Sequence, residues 1–265
     1  MTTLGAIFPP DLPPERLRSA AVAADRAGLE QLWLWEDCFK ESGIATAAAV
    51  LAWTQNLTVG IGLLPVPLRN VALTAMEIAT LERLFPGRLV PGVGHGVAEW
   101  MEQVGAQAQS PMTLLREYTT ALRALLHGET VSTDGRYVRL TDVTLDWPPT
   151  AAPPLLVGAV RERTVSLAGE LGEGIIMTGE TTPSAVREAM VHLRSGRAGA
   201  GRAGEPDVVV FLPVHGELDA TREAQRVAEL ADAGATHVVL LALDDDPLLE
   251  DLVAFVAQDL RPLVP

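Results

Sequence analysis

Short runs of β-branched and aliphatic residues alternate along this chain with longer segments whose apolar residues recur every three or four positions. The first pattern is that of a buried strand, the second that of a helix with one apolar face. The clearest example is the stretch from Leu57 to Gly96. Leu57 to Leu64 reads as a buried strand, interrupted by Gly60 and Gly62, where backbone can bend or approach another group closely. Pro65 and Pro67 end it. Leu73, Met76, Ile78, Leu81 and Leu84 then recur at helical spacing across Val71 to Leu84, and Pro86 and Gly87 stop that helix. Arg88 to Val93 returns to a strand and runs into Gly92, Gly94 and Gly96. The unit is strand, crossover helix, strand.

The same alternation extends in both directions. Leu4 to Phe8 and Leu32 to Trp35 read as the first two strands, followed by helices over Pro14 to Ala27, which Gly28 stops, and Ile44 to Trp53. Trp33 and Trp35 are expected to divide, one into the core and one outside. A polar segment after Gly96 leads to a helix over Met112 to Leu126. Thr130 to Leu145 breaks the rhythm with a small hairpin around Asp134 and Gly135. Strands resume at Leu155 to Ala159, Gly174 to Met177, Val208 to Val214 and Thr236 to Ala242. Helices follow at Arg161 to Leu171, Thr182 to Leu193, Asp219 (as N-cap) to Ala233 and Pro247 to Leu260. Ser195 to Pro206, rich in glycine and arginine, is expected to be a mobile loop, and Asp244 to Asp246 an acidic turn. About eight βα units in a chain of this length predict a (β/α)8 TIM barrel, a single domain over residues 1–265, with the hairpin inserted between strands four and five.

Charge narrows the partners. The net charge of -14, from 34 acidic and 20 basic residues, disfavours nucleic acid and anionic membranes. Cys38 is the single cysteine, so no intrachain disulfide can form, and no apolar run approaches the roughly 18 residues of a membrane span. A soluble, cytoplasmic protein acting on a small molecule is the expectation.

In barrels of this kind ligands sit at the carboxyl ends of the strands, which directs attention to four places. Gly92, Gly94 and Gly96 permit close backbone approach, but their spacing is not that of the dinucleotide fingerprint, and the alternative is an ordinary tight turn. His95, set among them, is a candidate for proton transfer or for an ordinary loop position, and Glu99 is placed to share its helical face. This pair is too few ligands for a metal. Glu36, Asp37 and Cys38 follow strand two, where carboxylates could act on a proton or orient a ligand, while Cys38 could equally be a small packed residue. Arg161, Glu162, Arg163 and Thr164 open a helix whose amino terminus, with two arginines, suits an anion unless those arginines are merely solvated.

Taken together, WLWEDCF after strand two, GIGLLPVPLRN through strand three, FPGRLVPGVGHG through strand four and PPLLVGAVRERTVSLAGELGEGIIM through strands five and six resemble the luciferase-like monooxygenase superfamily, and within it the coenzyme F420-dependent branch. The resemblance implies a flavin- or deazaflavin-dependent oxidoreductase with coenzyme F420 in the barrel mouth, FMN being the alternative cofactor. An FMN monooxygenase and a non-catalytic flavin-binding protein are the rival functions. By this resemblance Asp37 and Cys38 lie beside the cofactor, with Cys38 where relatives often carry histidine. Gly62 and Leu63 form a bulge with a cis peptide between them, and Gly94, His95 and Gly96 border the ring. Val157, Gly158 and Ala159, with Arg161, Arg163, Thr178 and Gly179, hold the phosphate end. It also implies a homodimer formed through the helices after strands two and three.

Overall fold

The computed structural model describes residues 2–242 and 249–264. Eight parallel strands close into a barrel in the order β1 (Thr3–Ile7), β2 (Gln31–Leu34), β3 (Thr58–Pro65), β4 (Leu89–Gly94), β7 (Leu156–Gly158), β8 (Gly174–Met177), β9 (Asp207–Val214) and β10 (His237–Ala242), which pairs back to β1. Between β4 and β7 a two-stranded antiparallel sheet, β5 (Val131–Asp134) and β6 (Arg139–Val143), forms the expected hairpin. Helices α1 (Leu17–Ala27), α2 (Gly43–Trp53), α3 (Val71–Leu84), α5 (Pro111–Leu126), α6 (Glu162–Leu171), α7 (Pro183–Gly199), α8 (Ala220–Ala233) and α9 (Leu249–Ala254) cover the outside. The polar segment after Gly96 contains a further short helix, α4 (Ala98–Gln103), that the periodicity did not reveal.

Local chemistry sets the helix ends. Gly28 ends α1 with φ of 78°, in the left-handed region that favours glycine. Asp219 caps α8 by accepting from the amides of Thr221 and Arg222 at 2.9 and 3.1 Å. The proposed acidic turn, Asp244 to Asp246, and the start of the last helix lie outside the described residues. That helix continues from α9 into a π-helical turn over Phe255–Leu260.

Two apolar layers result. The larger lies between the strands and the helices, and a smaller cluster, including Ile7, Trp33, Ile176, Val209 and Phe211, fills the barrel axis. Trp33 and Trp35 both belong to the axis, contrary to the expectation that they would divide, because residues two apart on a strand share a face. Gly60 lies under Trp33: a Cβ there would come within 2.2 Å of the indole, so the close approach anticipated at this glycine is to a side chain of the chain itself. The Trp33 Nε1–H donates to Gln31 Oε1 at 2.9 Å, which satisfies the buried indole.

The β3–β4 register shifts between the pairs Ile61–Pro91 and Leu64–Val93, so β3 carries one residue more than β4 there. The peptide between Gly62 and Leu63 is cis, as the resemblance implied, and a second cis peptide joins Cys38 and Phe39.

The Gly/Arg-rich stretch from Ser195 is not a loop throughout. Helix α7 runs to Gly199, and Arg197 is buried with its guanidinium donating to the carbonyls of Ala203, Gly204 and Gly172 at 2.8, 3.1 and 3.2 Å. Its glycine is a packing device. A Cβ on Gly196 would sit 2.1 Å from the Ser166 carbonyl oxygen, and one on Gly169 would sit 2.2 Å from that of Leu193, so α6 and α7 touch backbone to backbone. Forcing a methyl into such a contact costs about 1 to 3 kcal/mol. Gly196→Ala should therefore lower the unfolding free energy from denaturant titration by that amount while leaving the far-ultraviolet circular dichroism of the native state intact.

Candidate active site

One cavity of about 1230 Å³ opens at the carboxyl ends of the strands. Its floor is the top of the axial cluster. Phe211 meets Trp33 edge-on at 5.5 Å and stacks on Trp35 at 6.1 Å with 27° between the planes. Ile176 and Leu241 complete the floor, and Trp100, Pro111 and Met112 form the wall beyond β4.

Of the residues expected to hold the cofactor, together with the proton-transfer candidates His95 and Glu99, Asp37, Gly62, Leu63, His95, Gly96, Gly158, Ala159, Arg161, Arg163, Thr178 and Gly179 line this cavity. Four do not. Glu99 is exposed on α4, and because that helix starts only at Ala98, His95 is not on it and the two share no face. Val157 packs outward beneath the helices, since it alternates with the inward Leu156 and Gly158. Gly94 is buried, and a Cβ on it would come within 2.5 Å of a Leu63 methyl. Gly158 is similar, at 2.2 Å, although it also reaches the cavity. The two glycines thus make the hollow in which the Leu63 side chain rests, which in turn fixes the bulge at the cavity wall. Cys38 is partly buried outside the cavity, and burial together with the Glu36 and Asp37 carboxylates pushes its thiol above the ordinary value. A thiol raised in this way supplies little thiolate near neutral pH.

The segment after β2 is held by an ion-pair network. Glu36 accepts from Arg69 Nη2 at 2.6 Å and from the Gly43 amide at 2.8 Å, and Arg69 also donates to Glu77 at 2.9 Å. The Glu36 amide donates to the Leu63 carbonyl at 3.4 Å, tying this segment to the bulge. Asp37 Oδ2 accepts from the Trp35 indole at 3.0 Å. On the other side of the mouth, Arg161 and Arg163 are exposed at the amino terminus of α6, and among the described residues no carboxylate pairs with either. Free amides of a helix start and two guanidinium groups without a carboxylate partner give this end of the cavity the chemistry that suits an anion.

His95 stands between these ends. Its Nδ1 is buried and has no hydrogen-bond partner, and burial holds the imidazole below the ordinary histidine value. It is therefore neutral at pH 7 and can accept a proton. Among the described residues no group of three or more His, Cys, Asp or Glu is placed to hold a metal ion.

The residues of the luciferase-like monooxygenase family match this chain over residues 3–246. The chain belongs to that family. The match runs well past Met177, where the last of the motifs read from the sequence ends. The chain is 27% identical over 250 residues to a 5,10-methylenetetrahydromethanopterin reductase of Methanolobus tindarius, covering 92% of this chain and 76% of the relative. It is 29% identical over 231 residues to an F420-dependent glucose-6-phosphate dehydrogenase of Nakamurella multipartita, covering 80% and 67%. Among solved structures, the coenzyme F420-dependent tetrahydromethanopterin reductase of Methanopyrus kandleri superposes with a TM-score of 0.85 at 19% identity, over 100% of this chain and 99% of that one, which establishes the shared barrel.

The aromatic floor was missed in the sequence. Phe211 and Leu241 sit at inward positions near the ends of β9 and β10, and period-two counting from those ends would have found them. Because the folded-state value of His95 is lowered, its contribution to stability is full above the unfolded value of about 6.5 and is lost as pH falls through the folded value. The His95 Cε1 proton resonance should accordingly titrate with a midpoint below about 6.5, a shift that His95→Gln would identify by removing the resonance.

Proposed function

We propose that this chain binds coenzyme F420 in the barrel mouth and exchanges hydride with a small organic substrate. The observation that carries the reading is a cavity at the strand ends that combines Arg161 and Arg163 at a helix start, the Leu63 bulge on its wall and an aromatic floor. The named activities of the relatives support it. A deazaflavin supplies two-electron hydride chemistry when bound. The chain supplies the setting. Arg161, Arg163 and the start of α6, with Thr178, Gly179 and the backbone of Gly158 and Ala159, hold a phosphate. Gly62 and Leu63 support a planar ring against the side seated on Gly94, while Gly96 leaves room for close approach. Asp37, oriented by Trp35, contacts the ring edge. Neutral His95 moves the proton that accompanies hydride exchange, a role that Glu99 and Cys38 cannot fill from outside the cavity.

Fluorescence titration tests the cofactor. Coenzyme F420 should bind at micromolar or lower concentration and FMN more weakly, and the reverse order would transfer the chain to the FMN-dependent monooxygenases of its family. Arg161→Ala and Arg163→Ala should each weaken F420 binding about tenfold, as expected for loss of a charge-assisted hydrogen bond.

We also propose that the chain acts as a homodimer. On α2 and α3, Trp53, Leu73, Met76 and Leu84 are between 37% and 65% exposed, an apolar surface suited to a two-fold partner. Light scattering at micromolar concentration should give twice the 28.2 kDa chain mass, and Met76→Glu with Leu84→Glu should halve it.

A further inference from the structure

We infer that the substrate of this site is an uncharged, predominantly apolar molecule, carrying no phosphate or carboxylate. The inference rests on the deazaflavin reading, because it assigns the arginine end of the cavity to the cofactor and leaves the opposite end to the substrate. Among the described residues, the arginines and lysines lining the cavity are Arg161 and Arg163 alone, both at the amino-terminal end of α6, the helix after β7. In the circular strand order β1 lies opposite β7, with β2 and β10 on either side of it and β9 next to β10.

Among the described residues, that far side presents no unpaired arginine or lysine to an anion. Its cavity surface is Trp35, Phe211, Pro213 and Leu241, with Glu36 and Asp37 beside them. The cations nearby are already engaged: Lys40 pairs with Asp11, and Arg69 is held by Glu36 and Glu77. His95 is kept neutral by burial. An anionic substrate would therefore be desolvated over apolar rings without a counter-charge, which is strongly unfavourable. An apolar body is matched by the stacked pair of Trp35 and Phe211. A cation gains little beyond this, because Glu36 is neutralised by Arg69 and, on the deazaflavin reading, Asp37 faces the edge of the cofactor ring.

Calorimetric titration of F420-loaded protein with acetophenone, 4-acetylbenzoate and 4-(aminomethyl)acetophenone tests this directly. The neutral ketone should bind at least about tenfold more tightly than the carboxylate, and no more weakly than the ammonium compound. Leu241→Arg, which places a guanidinium on the far side, should close the gap by raising carboxylate affinity. Equal or tighter binding of the carboxylate to the unmodified protein, or preference for the ammonium compound, would overturn the inference. Failure of F420 to load in the first step would instead sink the cofactor reading, so the two failures are told apart.

Discussion

An eight-stranded parallel barrel closes around an axis just wide enough for side chains to fill, and whatever fills it decides how much room is left at the mouth. Here one indole dominates that axis. Trp33 lies over Gly60, has its N–H satisfied by Gln31 and takes the edge of Phe211 at 5.5 Å. The lower barrel is thereby solid, and Phe211, held from below by Trp33, becomes the platform on which Trp35 stacks. The height of the cavity floor is a consequence of packing in the core, not of the loops above it.

A second fixed point is the Leu63 side chain in the hollow over Gly94 and Gly158. It joins β3 to β4 and β7 on the wall of the cavity, while the Glu36–Arg69–Glu77 ion pairs and the Glu36 amide secure the β2 end to the same bulge. Partly buried ion pairs of this kind add little net stability, but breaking one leaves a charge without a partner, which holds the arrangement in a single geometry.

Most of the architecture was legible in the sequence because it is local: strand runs, helical periodicity, the Asp219 cap, the Gly28 stop and the hairpin each announce themselves within a few residues. The failures share one cause. Gly196 looks like a loop residue until α6 is known to cross it, and Gly94 looks like a ligand contact until Leu63 is seen to occupy the space. In both cases the reason for the glycine is a partner distant in sequence. The same holds for the site. The strand-end segments with glycines or charges were found, but Phe211 and Leu241 carry no signal of their own beyond an inward position in the period-two count of β9 and β10. Glu99 was overvalued because helical spacing was counted from His95, which precedes the helix.

The two ends of the cavity are written in separate parts of the chain. The arginine end is one short stretch, Gly158 to Thr164, with Thr178 and Gly179, and its helix is locked by backbone contact to α7. The aromatic end is assembled from β2, β9 and β10. Mutations that remodel the second need not disturb the first, so in descent a holder for one common molecule can be inherited unchanged while the facing wall is rewritten for new chemistry. A barrel divided in this manner is open to diversification by exchange of its last two strand-end segments.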